Sequence, residues 1–348
     1  MDILAFPWLE PETTSNDTVP LRNVLLHVTK ACNLYCKYCY FSASRPLPDE
    51  LTTDDFMRLW PEMVALRPQK VVFTGGEPLL RPDILDLLRG LKEADSEHRV
   101  LRCVNTNGHL VTPELTRQLV GLADEVRVSL DAMRDRNDAL RGVGNFDAAV
   151  RALETYYAVG FEPKVLVTIT SYSLPDLEEL LVFLIQKEIT RINLNGFRPI
   201  GRGKGHWDWR ANAKEAQAAV RRAWVRCYPD QPPPPDPPEP ESCSNCGVGQ
   251  FLNIMPNGDV FPCHVLTERE FRCGNVREQS LLEICRKQGL LGQLAVLNFH
   301  DLAEEDNNLA DLTQPHTCMG NVYRDTKSSP VWSERLPLAT MIPVKDVR

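Results

Sequence analysis

Nowhere does the chain hold an apolar run of the roughly 18 residues that a membrane-spanning helix needs. Its start, MDILAFPWLEPETTSND, has no basic segment leading into a long apolar one, so no secretory signal is read there and a cytoplasmic location is expected. Positive charge is also in short supply: 39 Lys and Arg stand against 47 Asp and Glu, a formal net charge of -8. That balance excludes a general electrostatic grip on nucleic acid, though not a local basic strip. Internal repeats are missing as well. What remains is an ordinary globular composition, 43% hydrophobic and 25% charged over 348 residues, enough for one large α/β domain and a smaller one. Eleven cysteines without a secretion signal point away from a disulfide framework and toward metal binding by reduced thiols.

Short β-rich runs at 22–29, 70–74, 99–105, 125–130, 163–169 and 191–196 alternate with helical patterns near 52–66, 82–92, 112–122, 145–159, 174–187 and 211–226. Several helices follow a capping or proline signal: TTDD, RPD, TPE. Six βα units in series predict a parallel sheet with outer helices, a partial or complete α/β barrel, whose ligands lie beyond the carboxyl ends of the strands. The pattern stops at YPDQPPPPDPPEPES, residues 228–242, where eight prolines predict an extended linker. The expected organisation is an extension over 1–21, the barrel over 22–227, the linker over 228–242, a cysteine-bearing unit over 243–320 and a tail over 321–348.

Immediately after the first strand, CNLYCKYCY places Cys32, Cys36 and Cys39 in a CxxxCxxC spacing. A zinc site closes with four protein ligands. Three thiols instead suit a four-iron cluster with one iron left for a non-protein ligand, and the zinc alternative requires a distant fourth ligand. Two glycines and a carboxylate in GGEP, Gly75 to Pro78, end the second strand, where the backbone can approach a ligand and Glu77 can meet an ammonium; a plain tight turn is the alternative. Arg141 has the planar fork for a carboxylate, or is a solvated surface charge. Ser129 and Asp131 are ligand groups or caps of the next helix.

With these residues the chain resembles the radical S-adenosylmethionine (SAM) enzymes. Cys32, Cys36 and Cys39 match the cluster motif, with the aromatic Tyr38 before the last cysteine; GGEP (Gly75, Gly76, Glu77, Pro78) follows the second strand, TNG (Thr106, Asn107, Gly108) the third, and VSLD, containing Ser129 and Asp131, ends the fourth. The likeness covers about residues 22–200. It implies that the three cysteines hold a [4Fe-4S] cluster whose open iron is chelated by exchangeable SAM. It further implies that GGEP holds the SAM amino group and that Ser129 and Arg141 lie near its ribose and carboxylate. One electron from the reduced cluster would then cleave SAM to methionine and a 5'-deoxyadenosyl radical, which takes hydrogen from a substrate.

Beyond the linker, CGVGQFLNIMPNGDVFPC reads as a hairpin about a PNGD turn that brings Cys246 and Cys263 together, and CGNVREQSLLEIC as a turn into a helix. Hairpin plus helix resembles the SPASM or twitch extension, which binds auxiliary iron–sulfur clusters. Full SPASM members carry more cysteines after the helix than the single Cys318 found here, so one auxiliary cluster, of [4Fe-4S] type, is expected. Cys243, Cys246, Cys263 and Cys318 are its expected ligands, with Cys273 competing for the fourth place. Cys103 and Cys285 read as core residues. His264 stands where sulfatase-maturing relatives have an aspartate, and is a candidate proton acceptor or a packing residue.

The resemblance leaves the substrate open: a ribosomally made peptide, a tetrapyrrole side chain or sugar, or no substrate at all in a zinc-binding scaffold. RPIGRGKGHWDWR, residues 198–210, resembles the P-x-GRG segment of haem-pathway relatives, or is a solvated loop. A one-electron donor such as ferredoxin or flavodoxin is implied. Because only 31 residues precede Cys32, leader recognition would fall to a separate protein.

Overall fold

The protein is described by a computed structural model over residues 17–233, 246–309 and 318–326. Six strands lie in the first part: β1 (Asn23–Thr29), β2 (Lys70–Gly75), β3 (Leu101–Thr106), β4 (Glu125–Ser129), β5 (Lys164–Ile169) and β6 (Ile192–Gly196). Helices α1 (Thr53–Ala65), α2 (Ile84–Ala94), α3 (Pro113–Leu119), α4 (Arg134–Arg141), α5 (Asn145–Tyr157), α6 (Leu177–Gln186) and α7 (Ala213–Cys227) alternate with them. All six strands pair in parallel with their sequence neighbours. The sheet is open, and β6 is one of its edges, as a partial barrel requires.

Local chemistry explains the helix starts. Thr52 caps α1 in a reciprocal box with Asp55, and Thr112 accepts from Leu115 N with Pro113 next in line. Helix α4 departs from the sequence reading, which has no helix there. RDRNDALR shows almost no apolar period, yet it carries Asp135 in its first turn and Arg141 in its last, matching the helix dipole.

Strand alternation separates two faces. Val24, Leu26 and Val28 of β1, Val71 and Phe73 of β2, and Val126 and Val128 of β4 join the main core with Phe56, Trp60, Leu87 and Leu91 of the helices. The other positions, among them His27, Thr74, Asn105, Arg127, Ser129 and Thr168, give the inner face a polar character.

The end of the sheet away from the cysteines is closed by charge. Glu125, 9% exposed, accepts from Arg127 Nε at 2.6 Å and Lys164 Nζ at 2.6 Å, with Lys70 and Arg191 both at 3.6 Å. Burial alone would raise the Glu125 carboxyl, but Arg127, Lys164 and Lys70 outweigh it and bring it from 4.5 down to about 2. Lys70 is itself depressed by burial, so the closer Arg127 and Lys164 carry the network. Since the folded value is the lower one, this stability is present above pH ~4.5 and is lost as pH falls toward ~2. Glu125→Gln is therefore expected to cost ~3 kcal/mol in urea unfolding at pH 7, and nearly nothing near pH 2.

The C-terminal hairpin is not set apart from the barrel. Strands β7 (Phe251–Ile254), β8 (Asp259–Phe261) and β9 (Gly274–Asn275) continue the sheet in the order β6-β5-β4-β3-β2-β1-β7-β8-β9. β7 runs parallel to β1, with Leu26 opposite Ile254, while β8 turns back antiparallel. Leu252, Ile254 and Val260 enter the same core as β1, a gain of about 1.5–3 kcal/mol for each fully buried large side chain. Arg277 fastens the far side, donating to Asp49 O at 2.8 Å and Asp55 Oδ2 at 2.9 Å. Helices α8 (Leu281–Ile284), α9 (Leu290–Ala295), α10 (Phe299–Glu305) and α11 (Met319–Asp325) follow. Phe261, Phe271, Leu294, Phe299, Met319 and Tyr323 form a second, smaller core among them. Of the expected extension over 1–21, residues 17–19 pair with 285–287. Most of the proline-rich stretch, and Cys243, lie outside the described residues.

Candidate active site

The loop leaving β1 carries Cys32, Cys36 and Cys39 and is held on three sides. Its own ends close through Cys32 N to Ser44 O at 3.0 Å and Ser44 N to Lys30 O at 2.9 Å. The C-terminus of α4 supplies Leu140 O to Lys37 N at 2.9 Å and Arg141 O to the Cys36 thiol at 3.7 Å. The segment after β6 lies on top: a Cβ on Gly201, at φ +59°, would stand 2.2 Å from Tyr40 O and 2.3 Å from Cys39 O. Only glycine fits there. Arg202, beside it, donates to Cys36 O at 2.8 Å and Ala43 O at 2.6 Å, and its guanidinium stacks 3.9 Å from the Tyr35 ring centroid. The P-x-GRG segment thus clamps the cysteine loop. Arg202→Ala is expected to lower the urea-unfolding stability by ~2–3 kcal/mol, and Arg202→Lys to recover only part, because one ammonium cannot span both carbonyls.

Burial pushes the Cys32 thiol up to about 11 and raises Cys36 too, the latter against the pull of Arg141. Tyr38, buried against Leu140 and Phe197, donates its hydroxyl to Asp131. Asp131 is fully enclosed and takes the Arg141 fork at 2.6 and 3.0 Å, with Thr168 N at 2.8 Å. The two-point contact of Arg141 is therefore made within the protein, and Asp131 does not cap α4, whose N-cap is Met133 without a side-chain bond. Ser129 ends β4, half-buried.

Glu77 is 1% exposed and points at the end of β3, accepting from Asn107 N at 2.7 Å and Thr106 Oγ1 at 2.9 Å. Burial lifts its carboxyl to about 7, against the pull of these hydrogen bonds. Gly75 and Gly76 let β2 close on β1: a Cβ would stand 2.3 Å from Thr29 O at the first and 2.0 Å from Ala31 O at the second. Pro78 opens the short turn that follows. Asn107 Nδ2 reaches Asn33 Oδ1 at 2.8 Å, tying TNG to the cysteine loop.

At the second cysteine group, Cys263 lies beside Cys246 and Cys318, and burial pushes its thiol up to about 12. Cys273 borders the same small core but donates to Phe271 O at 3.5 Å, and its thiol is also raised by burial. Cys103 and Cys285 are fully buried. Among the described residues no three His, Cys, Asp or Glu side chains gather closely enough for a single metal ion.

Beside the cysteine loop and the hairpin lies a cavity of ≈ 340 Å³. Its lining comes from β1 (His27), the cysteine loop (Tyr40, Phe41), the clamp segment (Ile200, Lys204) and the hairpin (Asn253, His264). The Tyr40 ring meets His264 edge-on at 5.6 Å, and burial lowers His264 to about 4, with Arg198 adding to the shift.

The residues fit the groups implied by the sequence. Cys32 and Cys36, whose thiols burial raises, are soft donors that yield their protons to a metal, and three thiols on one loop leave an iron open. Asn105 Oδ1, buried on the inner face without a partner, is an acceptor in need of a ligand donor. Sequence reasoning missed Asn105, along with Asn33, Arg202 and His27; strand parity alone marks Asn105 and His27 as inward-facing.

A family model described as the Radical SAM superfamily matches residues 26–184, and one described as an iron–sulfur cluster-binding domain, SPASM, matches 243–319. A mycofactocin maturase of Mycobacterium ulcerans is 30% identical over 263 residues, which cover 72% of this chain and 70% of that protein. The chain belongs to the radical SAM superfamily. It is accordingly an enzyme that uses SAM and an iron–sulfur cluster. Among other radical SAM proteins, an AdoMet-dependent heme synthase of Nitratidesulfovibrio vulgaris is 27% identical over 311 residues, 80% of this chain and 82% of that one. The crystal structure of Streptococcus suis SuiB bound to precursor peptide SuiA shares the fold, with a TM-score of 0.64 at 17% identity over 80% of this chain and 68% of that one. No helix among the described residues is long and apolar enough to cross a membrane.

Proposed function

We propose that this radical SAM enzyme modifies a peptide side chain held between its two cysteine groups. The observation that carries this reading is the cavity lined jointly by the cysteine loop, the inner face of β1 and the hairpin. The mycofactocin maturase likeness and the peptide-bound SuiB fold support the choice of a peptide. In this reading Cys32, Cys36 and Cys39 hold a [4Fe-4S] cluster. Tyr38, Gly75, Gly76, Glu77, Pro78, Thr106, Asn107, Ser129, Asp131 and Arg141 form the wall for SAM. When bound and reduced, such a cluster would supply the electron that splits SAM into methionine and the 5'-deoxyadenosyl radical. The chain's own part is positional: Arg202 fixes the loop, Asp131 and Arg141 fix Tyr38, and the clamp segment and hairpin cover the cavity against water. Cys243, Cys246, Cys263 and Cys318 hold one auxiliary [4Fe-4S] cluster. His264 is the acid–base candidate at the cavity wall. A ferredoxin or flavodoxin type of donor and a separate leader-binding protein complete the proposal.

The heme synthase likeness, which spans most of both chains, supports a second reading in which a small molecule takes the peptide's place. Deuterium transfer separates the two. A deuterated peptide substrate is expected to return its label in 5'-deoxyadenosine; label arriving only from a tetrapyrrole or sugar would favour the second reading.

A further inference from the structure

Within the cavity, one ring nitrogen of a buried histidine is left over from the protein's own contacts. His27 is 1% exposed, stacks on Phe41 at 4.2 Å and donates through Nε2 to Asn253 Oδ1 at 2.7 Å. Asn253 directs its own amide at Met255 Sδ, 3.6 Å away, which leaves Oδ1 as the acceptor and fixes the imidazole tautomer. Nδ1 is then a bare lone pair, and it has no partner among the described residues. Burial keeps the ring neutral, taking His27 to about 3 against the opposing Asn253 bond, with His264 adding to the depression. A buried acceptor left unpaired costs roughly 1–3 kcal/mol, a cost that a ligand N–H or O–H removes.

The rim of the same cavity reverses the charge of the chain as a whole. Lys30, Lys204 and Arg324 line it together with a single carboxylate, Glu268. Glu268 is taken by Arg324 Nε at 2.6 Å, and Arg324 is further occupied by Val265 O. Among the described residues Lys30 and Lys204 have no carboxylate within ion-pair distance; the Lys30 ammonium rests over the Phe41 ring at 5.6 Å. Two ammonium groups beside a concave, partly desolvated surface focus a positive potential into it.

The geometry points to a subsite for a carboxylate-bearing segment of the substrate, its anion between Lys30 and Lys204 and a neighbouring amide N–H on His27 Nδ1. This rests on the peptide reading and narrows it: the segment is acidic, either through a chain-terminal carboxylate or through an Asp or Glu side chain. A charge-assisted contact is about twice as strong as a neutral one, so the subsite discriminates by charge more than by shape.

The test titrates the reconstituted, SAM-loaded enzyme by calorimetry with four probes. These are acetyl-trialanine with a free carboxylate, acetyl-Ala-Glu-Ala amide, acetyl-Ala-Gln-Ala amide and glutarate. At least one acidic peptide is expected to bind about tenfold or more tighter than the Gln peptide, and which one does so identifies the source of the carboxylate. In the Lys30→Gln, Lys204→Gln double variant that preference is expected to vanish. His27→Phe, which keeps the ring on Phe41, is expected to weaken acidic and neutral peptides by the same factor. Glutarate binding lost in the lysine variant, with no peptide binding, would uphold the carboxylate subsite and remove the peptide reading. Equal binding of the Glu and Gln peptides, a preference unchanged in the lysine variant, or no binding by any probe up to ~10 mM would overturn the inference.

Discussion

Replacing Cys32, Cys36 and Cys39 together by alanine is expected to abolish 5'-deoxyadenosine formation from SAM under reducing, oxygen-free conditions and to remove about four irons per chain. No neighbouring thiol can take the place of any of the three: the loop lies between the clamp segment and α4, and the other described cysteines are in a strand, at the end of α7 or in the C-terminal region. A structural role alone would reduce stability without removing the reaction from the folded fraction. Residual 5'-deoxyadenosine in the purified triple variant would sink the assignment of the cluster to this loop.

The second large effect belongs to the C-terminal cysteines. Iron in the intact protein is expected to approach about eight per chain, and to fall to about four when Cys246 and Cys263 are both changed to alanine. The cluster on the β1 loop should survive, since its cysteines are held by contacts to α4 and the clamp rather than by the hairpin. Cys273→Ala is expected to leave iron content unchanged, whereas Cys318→Ala, at the residue beside Cys263, should lower it. A reversal of those two results would make Cys273 the fourth ligand; about four irons in the fully loaded parent would mean that no auxiliary cluster exists.

The barrel was legible because its signals are local. Thr52 with Asp55, and Thr112 with Pro113, announce helix starts within four residues, and alternating valines announce buried strands. The hairpin was legible for the same reason, its Pro256-Asn257-Gly258 turn being self-contained. Helix α4 was not, since only Ala139 and Leu140 of its eight residues are apolar. Without that helix, nothing in the sequence announces that Asp131, just before it, and Arg141, at its end, form an ion pair. Nor does any local rule announce that β7 lies on β1, or that His27 finds Asn253. Those pairings are set by which strand edge remains unfilled, a property of the assembled sheet.

The placement of β7 also sets a timetable for folding. Until β7 arrives, β1 is an edge strand with unpaired backbone groups, the kind of surface on which chains aggregate. His27 and Asn253 are 226 residues apart, so at roughly 5–20 residues per second the ribosome takes roughly 10–45 s to deliver the partner. During that interval the first three cysteines are already synthesised, on a loop rooted in the unprotected strand. Closure of the sheet therefore competes with self-association, and under the proposed reading a nascent chain whose loop takes up its metal early would gain order at the place where it is most exposed.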